Sequence, residues 1–268
     1  MLKVKVIQPQ YYCGENPDEK ISQMLLKELK KAEENSLIVL PEYSNAGGLS
    51  DKQQEILALS RADFMLTQAS EIARDKKCYV AINVLQKRND DIKNSTYFLN
   101  RTGEIVFIYD KIHLPSSEVE LGVMAGNGEC ICDVDGIRFA FMTCYDVYFN
   151  EQVEYIASKK PDIIIVPGYQ RGERTDIILA QAKLIAFRCN AFVARASYSM
   201  SDDNHGGCSM VVSPEGIILQ NMGKEVGSIS VEIEPKYKYM RTSGFGGKIV
   251  RNDEFISAGT RKDIFNFK

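Results

Sequence analysis

Histidine is scarce in this chain of 268 residues, which holds only His113 and His205. Two histidines are too few for the multi-ligand centres of metal-dependent phosphoesterases, and a general base has to be sought among other side chains. Long apolar runs are missing as well. The purely aliphatic stretches at 37–40 and 163–166 are four residues each, far short of the ~20 that a membrane-spanning helix requires. Neither sign of charge dominates: 33 basic and 36 acidic side chains leave a formal net charge of −3, without the basic surplus of a nucleic-acid binder. The N-terminus MLKVKVIQPQ enters strand-like sequence directly, with no apolar leader and no small-residue cleavage site. The expectation is a cytoplasmic protein acting on a small molecule, with neither nucleic acid nor membrane as partner. Seven cysteines form an odd set without a CxxC pair. They read as reduced, mostly buried thiols, and no metal site is expected.

Hydrophobic periodicity divides what is present into two halves of similar order. The pattern predicts a strand over 3–7, a helix over 19–34, a buried strand over 37–40, a mostly helical stretch over 51–76 and a strand over 78–85. Strands over 96–101 and 104–109 follow, joined at Thr102-Gly103, a hairpin signal. After a connecting stretch around Pro115 and Gly126, strands over 129–134 and 137–143 turn at Asp135-Gly136. A helix over 150–159, a strand over 162–166, a helix over 176–190 and strands over 191–196, 208–212 and 216–220 then repeat the order, without obvious sequence similarity. Strand–helix alternation ending in hairpins implies a mixed sheet with helices on one face, and two such layers can bury their bare faces together. The fold class expected is α/β, a four-layer αββα sandwich of two pseudo-equivalent halves in a single domain over 1–268. The Gly- and Lys-rich segment 235–268 is expected as an extended C-terminal arm packed on this subunit or on a partner.

Three polar residues fall just past predicted strand ends: Glu42 after Pro41, Lys111 after IVFIYD, and Cys144 after IRFAFMT. Ligand sites in open α/β sheets gather beyond the carboxyl ends of strands. A cysteine with an ordinary pKa of ~8.5 needs a base or a nearby cation to act as a nucleophile. Glu42 in an apolar setting suits the base, and Lys111 suits the charge that steadies an oxyanion, with the backbone N–H of Tyr145 as a second donor. Such a set fits acyl transfer from an amide through a thioester, ammonia leaving before water arrives.

The strings LPEYSN, YDKIHLP and MTCYDVYFNE, in that order, resemble the three signature blocks of the nitrilase superfamily, the carbon-nitrogen hydrolases. GGCSMVVSPEGIIL and FRCNAFVARAS resemble its later strands, so the likeness runs to about residue 235. The resemblance implies an αββα sandwich, a homodimer or higher homo-oligomer, no cofactor, and Glu42, Lys111 and Cys144 as base, transition-state stabiliser and nucleophile. It also implies a second glutamate between the lysine block and a glycine that here is Gly126. Glu118 and Glu120 are the candidates, and Glu118 is preferred. His113 is read as holding the lysine loop, His205 as an exposed loop residue, and Asp110 and Asp146 as supporting or capping groups.

The substrate expected is a small linear amide or N-carbamoyl compound. The alternatives are a nitrile, or an amide ligand bound without turnover. Tyr145 and Tyr148, just after the nucleophile, with Tyr169 and Gln170 at the end of strand 162–166, are the expected pocket walls. Members acting on carboxylate-bearing substrates commonly place an arginine shortly after the cysteine. Tyr148 occupies one of those places here, which weighs against an omega-amidase or an N-carbamoyl amino acid hydrolase, and leaves Arg171 and Arg174 as candidates to grip a carboxylate from another direction.

Overall fold

The computed structural model describes residues 1–49, 52–261 and 264, apart from the side chains of 53, 54 and 57. Asp51, the expected start of the second helical stretch, and residues 262, 263 and 265–268 of the expected arm lie outside the described residues. In chain order the elements of the first half are β1 (Leu2–Gln8), α1 (Pro17–Leu29), β2 (Ser36–Val39), α2 (Lys52–Ala58), a 3-10 turn (Leu59–Arg61), α3 (Ala62–Lys76), β3 (Tyr79–Arg88), β4 (Asp91–Leu99) and β5 (Ile105–Asp110). Next come α4 (Ser116–Leu121), β6 (Ile131–Val134), β7 (Ile137–Phe141), a 3-10 turn (Cys144–Tyr148), α5 (Asn150–Ser158), β8 (Ile163–Pro167) and α6 (Thr175–Cys189). The chain continues through β9 (Phe192–Ala196), β10 (Met210–Val212), β11 (Ile218–Asn221), β12 (Gly227–Ile233), β13 (Met240–Thr242), β14 (Ile249–Arg251) and α7 (Asn252–Ala258).

Two six-stranded sheets carry the fold, ordered β12-β1-β2-β3-β4-β5 and β11-β10-β9-β8-β7-β6. In each, a parallel centre (β1-β2-β3 and β7-β8-β9) is flanked by antiparallel strands. The aliphatic runs are continuous because both faces of the central strands are covered. Leu37 and Val39 of β2 and Tyr79 and Ala81 of β3 point into the core shared with the second sheet. Their neighbours Ile38, Val80 and Ile82 point the other way, against α1 and α3. Rings fill the space between sheets: the Phe98 centroid lies 4.7 Å from that of Phe139 and 5.5 Å from that of Phe141. Among the described residues no helix is long and apolar enough to cross a membrane.

Four sequence expectations need correction. The first helix ends at Leu29 rather than 34, because the chain there tightens into i→i+3 bonds, Lys31 N–H to Glu28 O and Ala32 N–H to Leu29 O, which still bury Ala32. β4 starts at Asp91 rather than 96, since Asn89 takes a left-handed conformation (φ 50°) that closes a tight turn straight out of β3. β12, with Ile229, Val231 and Ile233 alternating with polar residues, was not expected at all. It leaves the second half to pair antiparallel with β1, tying the two sheets together. Finally, the segment expected as an extended arm folds into the β13-β14 hairpin and α7. Asn190 at the end of α6 donates to Tyr239 O and Asp253 Oδ1, and Asn252 donates to Phe187 O, so this segment packs on its own subunit.

Candidate active site

The carboxyl ends of β2, β5 and β7 bring the three polar residues together around a cavity of about 480 Å³. Glu42 sits in a turn that is fixed from several sides. Tyr198 OH donates to Glu42 O at 2.7 Å, Ser44 Oγ donates to Pro41 O at 2.9 Å, and Asn45 bonds to Ala58 and Leu85. Lys111 follows β5 and is held by its backbone, its N–H on Asn94 O and its carbonyl accepting from Gly126, both at 2.9 Å. Gly126 passes so close to β5 that a Cβ there would stand 2.2 Å from Asp110 O, which explains why a glycine is needed. Glu118 enters from α4, a six-residue helix in the stretch expected to be an irregular connection.

Lys111, 2% exposed, donates from Nζ to Glu42 Oε1 at 2.8 Å and to Glu118 Oε1 at 2.9 Å. An ammonium has three donors, so one N–H is left to face a ligand. Burial works against the Lys111 charge, but Glu42, Cys144 and Glu118 outweigh it and raise the pKa, so the ammonium persists. Burial also pushes the Glu118 carboxyl up; Lys111 opposes this and Glu42 adds to it. Glu118 Oε1 accepts from Lys111, Asn94 and Tyr43, whereas Oε2 is buried with no partner among the described residues.

Cys144 opens the 3-10 turn in a left-handed conformation, φ 49°. A non-glycine residue there is strained, and the strain is held by Asp146. This fully buried carboxylate accepts from Thr143 N at 2.8 Å, His113 N at 2.9 Å, His113 Nδ1 at 3.0 Å and Tyr109 OH at 2.5 Å. His113 also stacks on Phe149, 3.8 Å between centroids. One carboxylate thus anchors both the cysteine turn and the lysine loop. The Cys144 thiol shares the cavity wall with Glu42, Lys111 and Tyr169. Burial, followed by the Glu42 charge, drives its pKa up despite Lys111, so at rest the group is a thiol beside a carboxylate.

The cavity wall includes Glu42, Lys111, Glu118, Cys144, Tyr169 and Arg171. Glu120 also lines it but makes no bond to Lys111. Three expected wall residues lie outside the lining. Tyr145 packs edge-on against Phe149, Tyr148 is 43% exposed and bonds to Glu173, and Gln170 joins Gln181, Tyr148 and Arg195. In the 3-10 turn after Cys144 the two tyrosine rings pack on each other, 5.6 Å between centroids. Arg174 is spent on Asp176 at the surface, and His205 is exposed beside Asp202.

Asn94 and Tyr43 were not anticipated. Asn94 Nδ2 donates at 2.8 Å to both Glu42 Oε1 and Glu118 Oε1, and Asn83, itself bonded to Tyr43 N, fixes the amide's orientation. The available signal was the polar run Asn94-Ser95-Thr96 in mid-strand, where apolar residues belong. Asn94→Asp keeps the shape but sets a third carboxylate against two others. Turnover should fall roughly 10²-fold at neutral pH and recover in part on acidification, when the new carboxyl takes up a proton and regains a donor. A pH–rate profile like that of the unaltered protein would contradict this.

Comparison with known proteins follows the same line. The carbon-nitrogen hydrolase family model matches residues 4–238. A 2-oxoglutaramate amidase of Bacillus subtilis (strain 168) is 26% identical over 58% of this chain, and the match spans about three fifths (61%) of that relative. A 2-oxoglutaramate amidase of Paenarthrobacter nicotinovorans is 26% identical over 84% of this chain and 80% of its own length. A mutant of the amidase from Nesterenkonia sp. AN1, whose structure shows the result of Michael addition of acrylamide at the active site cysteine, superposes with a TM-score of 0.74. It is 18% identical, over 87% of this chain and 94% of the other, and it shares the fold. With the two sheets and the converging strand ends, these matches place the chain in the carbon-nitrogen hydrolase family.

Proposed function

We propose that the protein hydrolyses the C–N bond of a small linear amide or N-carbamoyl compound, with Cys144 as nucleophile, Glu42 as general base and acid, and Lys111 as oxyanion stabiliser. The observation that carries this reading is one constellation: a buried ammonium bridging two buried carboxylates, on the wall of a cavity that a cysteine thiol also lines. The similarity to amidases supports it.

In the first half-reaction Glu42 takes the thiol proton as sulfur attacks the substrate carbonyl carbon. The resulting oxyanion accepts the free N–H of Lys111, whose charge is in place before the reaction begins. Collapse breaks the C–N bond, and Glu42 returns the proton to the departing nitrogen, so ammonia leaves and a thioester remains. In the second half Glu42 takes a proton from water, water attacks the thioester, and the collapsing intermediate returns sulfur to its thiol form as the acid is released. Glu118, Asn94 and Tyr43 hold Lys111 and Glu42 in register and are not consumed.

Glu42→Gln is nearly isosteric and removes the proton acceptor. It should lower ammonia release by about 10²–10⁴-fold while leaving the thermal unfolding midpoint within a few degrees, because the amide oxygen still accepts from Lys111 and Asn94. Ammonia release at the original rate from a panel of amides and N-carbamoyl compounds, with carbon dioxide followed in parallel, would refute the role of Glu42. Carbon dioxide accompanying ammonia would mark the substrate as a carbamoyl compound.

A further inference from the structure

Arg171 stands on the loop after β8, on the wall of the Cys144 cavity. Its guanidinium is clasped by two rings, with Cζ 4.4 Å from the Tyr169 centroid and 5.1 Å from that of Tyr11, and Nη1 donates to Tyr11 OH at 2.5 Å. Tyr169 is itself fixed: its hydroxyl accepts from Gly48 N at 2.8 Å, and its ring packs edge-on against Tyr43 and Tyr198.

Most of the chain's other arginines are spent elsewhere, and Arg241 lies over the Phe255 ring. Among the described residues eight of them meet a carboxylate, and buried Arg195 gives its N–H groups to Gly207 O, Cys208 O and Gln170 Oε1. Arg171 pairs with no carboxylate among the described residues, yet it lies near enough to Cys144 to sense charge on the sulfur. Lys52, Glu55 and Glu120 share the rim; the Lys52 ammonium donates to the Glu120 carbonyl. A stacked, pinned guanidinium has little rotamer freedom left to lose, and its fork matches a carboxylate in two parallel bonds.

We infer that Arg171 anchors a carboxylate at the end of the substrate remote from the scissile bond. The inference rests on the amidase reading above and deepens it. Half-amides of dicarboxylic acids and N-carbamoyl amino acids both carry this chemistry, a carboxylate a few bonds from the carbonyl.

The test compares succinamate, glutaramate and N-carbamoyl-β-alanine with neutral butyramide. The carboxylate-bearing compounds should have the higher kcat/KM, and Arg171→Met should lower that preference by roughly 10- to 100-fold, mainly through KM. Arg171→Lys, which keeps the charge without the fork, should fall between. An unchanged preference in Arg171→Met, or a neutral amide preferred by the unaltered protein, would overturn the inference. Calorimetric titration of Cys144→Ala with the same compounds gives a readout without turnover. Binding of a carboxylate compound that Arg171→Met abolishes supports the anchor even if nothing is hydrolysed, an outcome that would sink only the amidase reading. Equal binding of butyramide, or no binding of any of the four, would overturn the anchor itself.

Discussion

Cys144→Ala should abolish ammonia release, with a loss of at least about 10⁴-fold, while the protein folds as before. Among the described residues of the cavity wall Cys144 offers the one thiol, a far stronger nucleophile than the hydroxyls of Ser117, Tyr43 and Tyr169 that share it. Groups that act as one catalytic unit lose nearly everything when the nucleophile goes, leaving what binding and oxyanion stabilisation alone provide. Folding should survive because alanine carries the same Cβ as cysteine in the left-handed conformation at φ 49°, so the strain is unchanged and the hydrogen bonds from Thr143 and His113 to Asp146 remain. The checks are an ammonia assay and a thermal melt on the same preparation. Full turnover in this variant would remove Cys144 from the mechanism.

Lys111→Met should damage both catalysis and stability, and the two effects separate by pH. Losing one oxyanion donor typically costs ~10²–10³ in kcat. Removing one member of a buried ion pair costs ~3–5 kcal/mol, and here two carboxylates, 1% and 4% exposed, lose one shared cation. Without it, Glu118, whose carboxyl burial already pushes up, can stay buried only by keeping a proton, so its folded pKa lies above the unfolded one. The folded variant then binds more protons than the unfolded chain, and its stability falls as pH rises. Thermal melts at pH 5 and pH 8 should therefore show a larger deficit against the parent protein at pH 8. Turnover should stay low at both. A deficit independent of pH would mean that Lys111 does not offset buried negative charge at Glu118.

The strand ends of the candidate site were legible because each set a polar residue just past a strand-forming run, buried in β2, half-buried in β7 and at the sheet edge in β5. The order of elements followed for a similar reason: both faces of β2 and β8 are covered, which leaves unbroken aliphatic runs, whereas α1 and α3 bury one face and keep a helical period. Glu118 was preferred over Glu120 without support from spacing. The structure makes Glu118 the residue that bonds to Lys111, and α4, which presents it, is six residues long without a side-chain cap, so it left no periodic or capping signature. Asn94 was missed because the strand was expected to begin only at 96, which left Asn94 outside it, and only the fold reveals that it faces two carboxylates. Tyr145 and Tyr148 were expected on the wall from their nearness in sequence to Cys144. A 3-10 turn rotates successive side chains by about a third of a turn, and here the two rings pack on each other. β12 had a clear alternating pattern, but nothing in the sequence says that a strand from the second half completes the first sheet.

The claim on which the rest depends is a thioester on Cys144, and trapping tests it most directly. With hydroxylamine present, an amide and a methyl ester of one acyl group should yield acid and hydroxamate in the same ratio, because both pass through one acyl-enzyme, and Cys144→Ala should yield neither above the uncatalysed background. A ratio that changes with the leaving group, or ammonia released with no hydroxamate at any hydroxylamine concentration, would contradict the account.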